Sequence, residues 1–228
     1  MCCVRGNSTE GDIIAIIIQE KYFQQYCKIL ALEEIAVKEF KVGAQCKLKN
    51  DSDIKWQGEM AALKNGVAVI EKETSILHVW RFADRVASEF VISDGKCQIA
   101  GMRAMDNVLG SKELLALAFS NNKSIGFYAI ELNGLVKVRE VQLEFNPFGL
   151  LWLERKRTLL VQDEKGTAKE LYAIRVTERD LATYKVTIDE NKSFTALSWC
   201  VLIDKNGNEK AIAIFDCQSN YVKIFDMA

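Results

Sequence analysis

The residues with the widest chemical reach in this chain are seven cysteines, at positions 2, 3, 27, 46, 97, 200 and 217, and one histidine, His78. A zinc site needs a close-spaced set of Cys, His or acidic ligands. Here the cysteine count is odd, no two cysteines stand in C-x-x-C spacing, and one histidine cannot complete a mixed set. The cysteines read as reduced, mostly buried side chains of a nuclear or cytoplasmic protein. His78 lies in Leu77-His78-Val79-Trp80, an expected strand, and reads as a strand residue with a satisfied ring. Neither a Ser-His-Asp nor a Cys-His arrangement can be assembled around it. There is no G-x-x-x-x-G-K-[ST] phosphate loop. The acidic groups Asp51/Asp53 and Asp163/Glu164 fall in expected loops and read as solvated charge. The sequence thus predicts no catalytic residue, no metal and no cofactor.

The remaining chemistry is cationic. Arg155-Lys156-Arg157 follows Trp152 in an expected turn between two strands. A solvated turn is the plain reading. Three adjacent cations on a rigid edge also make a local positive field, suited to a phosphate or an acidic partner. Arg139, Arg175 and Arg179 would extend the field if the fold brings them near. The chain as a whole offers no such footprint: 30 Lys and Arg face 31 Asp and Glu, a net charge of −1. A nucleic acid would therefore be held by a local patch or shared with a partner. The apolar run Ile13–Ile18 is far shorter than the roughly 20 residues of a membrane span, and Met1-Cys2-Cys3-Val4-Arg5 does not open a signal peptide. No membrane association is expected.

These residues are positioned by a repeat. Five segments share one layout, beginning at Asp12, Gly66, Leu114, Arg157 and Lys210. Each opens with an apolar run, crosses a short polar stretch and closes with a run mixing apolar, aromatic and polar residues. The first run suits a strand buried on both faces and the second a strand nearer the outside. The polar link has hairpin length. The closing runs centre on Gln25, His78, Phe127, Leu171 and Val222, a spacing of 44 to 53 residues. That period, built from strands, is one four-stranded propeller blade.

The intervals between doublets should hold the other two strands. A turn at Asn146-Pro147-Phe148-Gly149 separates two such runs, and Phe194–Ile203 takes a similar place further on. Asn121-Asn122-Lys123 and Asn206-Gly207 read as hairpin turns. Leu30–Phe40 is the segment best suited to be a helical exception. The fold class expected is all-β: a β-propeller of WD-repeat type with about five recognisable blades, forming a single domain over residues 1–228. The first doublet begins so early that its blade lacks leading strands. Either N-terminal residues complete the last blade, or the chain is a short relative of a larger propeller.

The closing strands resemble those of WD repeats, most closely in His78-Val-Trp-Arg-Phe and Val222-Lys-Ile-Phe-Asp. The Trp-Asp signature and the opening Gly-His pair are missing. Within that superfamily the chain resembles the non-catalytic WD-repeat subunit of tRNA (guanine-N7-)-methyltransferase. Three stretches carry the likeness: Gly66–Phe82, Leu114 to Ile174, and Phe215-Asp216 with Tyr221-Val222-Lys223. The last overlaps the fifth doublet, so only one of the two readings can hold there. The Asp-Arg-Asp-type loop with which that family docks its catalytic subunit has no match, so docking residues cannot be transferred. The resemblance implies a scaffold that binds and stabilises a methyltransferase subunit and meets tRNA only within the complex. Two other functions compete with it. A generic interaction scaffold of another intracellular complex differs only in its partner. A propeller enzyme would need ligands that the Ile-, Ala-, Val- and Leu-rich inner strands do not supply.

Overall fold

The structure is a computed structural model. It describes residues 2–4, 13–19, 27–36, 39–48, 56–71, 75–83, 87–92, 98–131, 134–163, 170–187, 196–204, 206, 208–216 and 221–227; before Met60 it describes the backbone course alone.

Five antiparallel sheets follow one another along the chain. Sheet 1 holds β1 (Cys2–Val4), β2 (Ile13–Gln19), β3 (Cys27–Ala36) and β4 (Glu39–Leu48). Sheet 2 holds β5 (Trp56–Leu63), β6 (Gly66–Glu71), β7 (Ile76–Arg81) and β8 (Ser88–Val91). Sheet 3 holds β9 (Ile99–Val108), β10 (Ser111–Phe119), β11 (Ser124–Glu131) and β12 (Gly134–Gln142). Sheet 4 holds β13 (Pro147–Leu153), β14 (Thr158–Asp163), β15 (Glu170–Val176) and β16 (Leu181–Thr187). Sheet 5 holds β17 (Ala196–Ile203), β18 (Glu209–Asp216) and β19 (Tyr221–Asp226). Every strand pairs with its neighbour in sequence. The first strands pack serially, β1 on β5, β5 on β9, β9 on β13 and β13 on β17, while β17 and β1 do not pack as closely. This is a propeller arrangement whose sheets are not closed into a ring.

The repeated doublets are the second and third strands of the five sheets, paired antiparallel in each. Alternation along the second strands explains why their apolar runs are continuous. On β10, Leu115, Leu117 and Phe119 join the core shared with sheet 2, while Leu114, Ala116 and Ala118 join the core shared with sheet 4. On β14, Leu159 and Val161 face sheet 3 and Leu160 faces sheet 5. A Leu or Ile buried this completely stabilises the fold by roughly 1.5–3 kcal/mol. Adjacent first strands approach closely enough to need glycine. A Cβ on Gly101 of β9 would stand 2.3 Å from the carbonyl oxygen of Phe148 on β13.

Several expectations need correction. Leu30–Phe40 is not helical: β3 and β4 run through it, and pairing of Leu30 and Leu32 with both β2 and β4 outweighs its helix-forming composition. The first sheet does have a leading strand, the three-residue β1, which pairs with β2. Among the described residues sheet 5 has three strands, and β1 is not one of them. The third strands β7 and β11 lie deeper than expected, being largely buried beneath β8 and β12, whereas the third strand of sheet 5, β19, is mostly exposed as expected. The turn placed at Asn146–Gly149 falls earlier, with bends at Glu144 and Phe145 and Pro147 already opening β13. The fifth doublet is present as β18 and β19.

Candidate functional site

The turn 154–157 joins β13 to β14 at one end of sheet 4 and carries Arg155, Lys156 and Arg157. Arg157 takes the left-handed conformation at φ 47°. Its N–H donates to the Glu154 carbonyl at 3.2 Å, and its own carbonyl accepts from the Val176 N–H at 2.8 Å, which ties the turn to β15. The Thr158 hydroxyl donates to the Lys156 carbonyl at 2.9 Å. Across the sheet boundary, the Glu209 carboxylate on β18 accepts from the Glu154 N–H at 2.6 Å and the Arg155 N–H at 3.3 Å. The turn's backbone is thus fixed by both its own sheet and the next. Arg155 and Lys156 remain exposed and Arg157 is half-buried.

Two cavities flank this turn. Arg155 lines a cleft of about 780 Å³ formed where β5, β9, β13 and β17 converge, with Lys64, Arg103, Asp106, Glu154 and Glu209 among its walls. Lys156 lines a more apolar cavity of about 460 Å³ between sheets 4 and 5, with Leu160, Val186, Ile214 and Phe225. Arg175 on β15 and Arg179 in the 177–180 connection lie at the same end of sheet 4 as the basic turn. Arg139 does not: it sits on β12 of sheet 3, opposite Phe127.

A second carboxylate repeats the Glu209 device. Glu113 on β10 accepts from the Lys64 N–H at 2.9 Å and pairs with the Arg81 guanidinium, linking sheet 3 to sheet 2. Both glutamates stand just after the first hairpin turn of their sheet and hold the first turn of the preceding sheet. Sequence reasoning missed them. The available signal was an acidic residue at the start of the second strand, immediately before the buried run at Glu113 and one residue further from it at Glu209. Beside this clamp, Asp106 has its pKa raised above the ordinary 3.8 by burial, then by the carboxylates of Glu113 and Glu154, against the opposing charges of Lys64 and Arg81.

The other singled-out residues are dispersed. His78 is buried in β7, and its Nδ1 lies 3.7 Å from Oε1 of Glu89, its neighbour on β8. Cys200 is exposed on β17, and Cys2, Cys3, Cys27 and Cys46 are placed only by strand. Cys97, Cys217, Asp51, Asp53 and Glu164 lie outside the described residues. Between β17 and β18, Oδ1 of Asp204 accepts from the N–H groups of Asn206 and Asn208, at 2.9 and 2.8 Å, while Gly207 of the expected turn lies outside the described residues. Those bonds to Asn208 and Asn206 lower the Asp204 pKa. Among the described residues, no three His, Cys, Asp or Glu side chains are grouped as a metal site, and no helix is long and apolar enough to cross a membrane.

No protein-family model and no curated protein matches this sequence. The fold is similar to that of a chain in the crystal structure of the mitotic checkpoint complex, with a TM-score of 0.60 and 9% identity. The likeness covers 100% of this chain and 63% of that one, so this chain spans under two thirds of the length of the structure it matches. At that identity the likeness establishes the fold: an all-β, propeller-type array.

Proposed function

We propose that this chain is a non-catalytic protein-interaction scaffold, acting in the nucleus or cytoplasm, whose partner is the catalytic subunit of a tRNA (guanine-N7-)-methyltransferase. The observation that carries a scaffold role is the basic turn 154–157. Its backbone is anchored to two sheets while Arg155 and Lys156 are exposed. Such a turn presents charge without paying to order a loop. The choice of partner rests on the resemblance of Gly66–Phe82 and Leu114–Ile174, which coincide with paired strands of sheets 2, 3 and 4. In this reading the partner supplies the S-adenosylmethionine site. Arg155, Lys156 and Arg157 supply phosphate contacts to tRNA held jointly by the two proteins.

The test is co-expression with the methyltransferase subunit, then tRNA binding at several salt concentrations. The two chains are expected to co-purify in equal amounts. Changing Arg155, Lys156 and Arg157 together to Ala should leave that complex intact, because the turn is held through backbone groups. It should weaken tRNA binding and flatten its salt slope by up to about three counterions. Failure to co-purify removes this partner. Unchanged affinity and slope remove the cluster from any RNA role.

A further inference from the structure

Sheet 4 has four strands, and the end of it that carries the basic turn consists of described residues throughout. Its second connection at that end, 177–180, is held as firmly as the first. The Thr177 hydroxyl oxygen accepts from the Arg179 and Asp180 N–H groups at 3.3 and 2.9 Å. The Thr177 carbonyl accepts from the Leu109 N–H, in the β9–β10 turn of sheet 3, at 3.4 Å. Five cations thus stand on or beside two fixed turns: Arg155, Lys156, Arg157, Arg175 and Arg179. Among the described residues, no carboxylate pairs with any of the four arginines. The nearby acids are mostly committed elsewhere. Glu209 accepts from the basic turn's own N–H groups, Oδ1 of Asp180 accepts from the Leu181 N–H at 2.8 Å, and Glu154 lines the cleft near Asp106. Glu178 and Asp226 are left against five positive charges.

An aromatic ring lies among these cations. On β15, Leu171 and Ala173 belong to the core shared with sheet 5, so Arg175 shares their face, and Val186 puts Tyr184 on the same face of β16. Tyr184 stands opposite Ala173, and its hydroxyl lies 3.3 Å from the Thr158 hydroxyl, two strands away on β14. Two strand spacings are about 9.6 Å, so the ring lies along the sheet across β15 instead of standing on it. The small Ala173 side chain makes room beneath it. Arg175 and Lys156 are its neighbours, because Arg175 pairs with Thr158 in the ladder and the Thr158 hydroxyl donates to the Lys156 carbonyl. Tyr184 is nonetheless 43% exposed.

We propose that this end of sheet 4 binds single-stranded RNA, with one unpaired base stacked on Tyr184 and the adjoining phosphates held by Arg155, Lys156, Arg157, Arg175 and Arg179. The inference rests on the tRNA reading above and names the part of the RNA that the site takes. Each half of the site suits a different half of a nucleotide. Arginine forks match phosphate oxygens. An exposed ring fixed in place offers a π-face to any base not already stacked in a duplex. An acidic peptide would use the cations and leave the ring idle. A duplex would use the cations and keep its bases out of reach.

The experiment measures binding of the full chain to a fluorescent oligouridylate of about twelve nucleotides, and to a duplex of equal length, by anisotropy at several salt concentrations. The single strand is expected to bind at least about tenfold more tightly than the duplex. Tyr184→Leu should weaken binding of the single strand about tenfold with the salt slope unchanged, because stacking releases no counterion. Tyr184→Phe keeps the ring and loses the contact with Thr158, and should stay within about threefold of wild type. Replacing Arg175 and Arg179 together by Ala should flatten the logarithmic salt slope by up to about 1.4. Ultraviolet cross-linking of the wild-type chain to oligouridylate needs no variant and should place the adduct on the tryptic peptide Asp180–Lys185. Wild-type affinity in Tyr184→Leu, a duplex bound as tightly as the single strand, or an adduct found only elsewhere overturns the proposal. Polyglutamate that displaces the oligonucleotide at equal charge concentration also overturns it, in favour of an acidic protein partner. Co-purification of the methyltransferase subunit is scored separately, so its loss with Tyr184-dependent RNA binding intact counts against the choice of partner alone.

Discussion

Glu113 stands directly across the β9–β10 ladder from Asp106, and like charges in that relation destabilise a sheet. Two effects compete at this carboxylate. Its repulsion of Asp106 is worth well under about 1 kcal/mol, because solvent in the cleft still reaches Asp106 although its neighbours partly bury the carboxyl. Its bonds to the Lys64 N–H and the Arg81 guanidinium are charge-assisted, worth about 1.5–3 kcal/mol together once Glu113 is mostly buried. The bonds win. Glu113→Ala is therefore expected to destabilise the chain by about 1–2 kcal/mol, seen as a lower urea midpoint at unchanged slope. Asp106→Asn should act the other way. The folded state holds the Asp106 proton more tightly than the unfolded state does. Its ionisation thus subtracts stability as pH rises from the ordinary 3.8 through the raised folded value. The asparagine variant should be the more stable at pH 7, with its advantage shrinking on acidification and gone below pH 3.8. Urea midpoints measured between pH 3 and pH 7 check this, and an advantage independent of pH would refute the assignment.

At the scale of elements, the order of strands was legible because each second strand buries both faces. Val67–Ile70, Leu114–Phe119 and Leu159–Val161 are unbroken apolar runs for that reason, and their recurrence set the period. The fourth strands were harder to see. On β12 and β16 only isolated residues are half-buried, so the sequence there reads as polar connection. The Leu30–Phe40 segment misled through composition, since Leu, Ala and Glu favour helix until neighbouring strands claim them. The clamps Glu113 and Glu209 were invisible singly, because a glutamate beside a hairpin is ordinary until the facing turn is known. Contact between first strands likewise has no sequence mark except small residues such as Gly101. There the Phe148 carbonyl leaves no space for a methyl group. Gly101→Ala should force β9 and β13 apart and cost about 2–4 kcal/mol, more than a strand glycine usually gains on acquiring a side chain. Thermal unfolding of the variant checks it, and a rise in melting temperature would mean that the two strands separate easily.

At the scale of the molecule, the sheets form a line of nearest neighbours. Such arrays owe their stability to each unit plus its interfaces, so the inner units are held on two sides and the outer units on one. Sheet 3 shares one core with sheet 2 and another with sheet 4. Leu114–Phe119 of its β10 and Ser124–Ala129 of its β11 are buried throughout. Sheet 5 shares a smaller core with sheet 4 and ends in β19, where exposed and half-buried residues alternate without a fully buried one. Local opening free energy follows the buried apolar contacts that opening must break. Amide exchange in the isolated chain should therefore be slowest on β10 and β14, intermediate on β18 and fastest on β19, with β19 exchanging at least about a hundredfold faster than β10. The order should be steepest in mild denaturant, where end sheets open before the middle ones. Equal protection across sheets 3, 4 and 5 would show that the array unfolds as one cooperative unit. β19 amides as slow as those of β10 would refute the order.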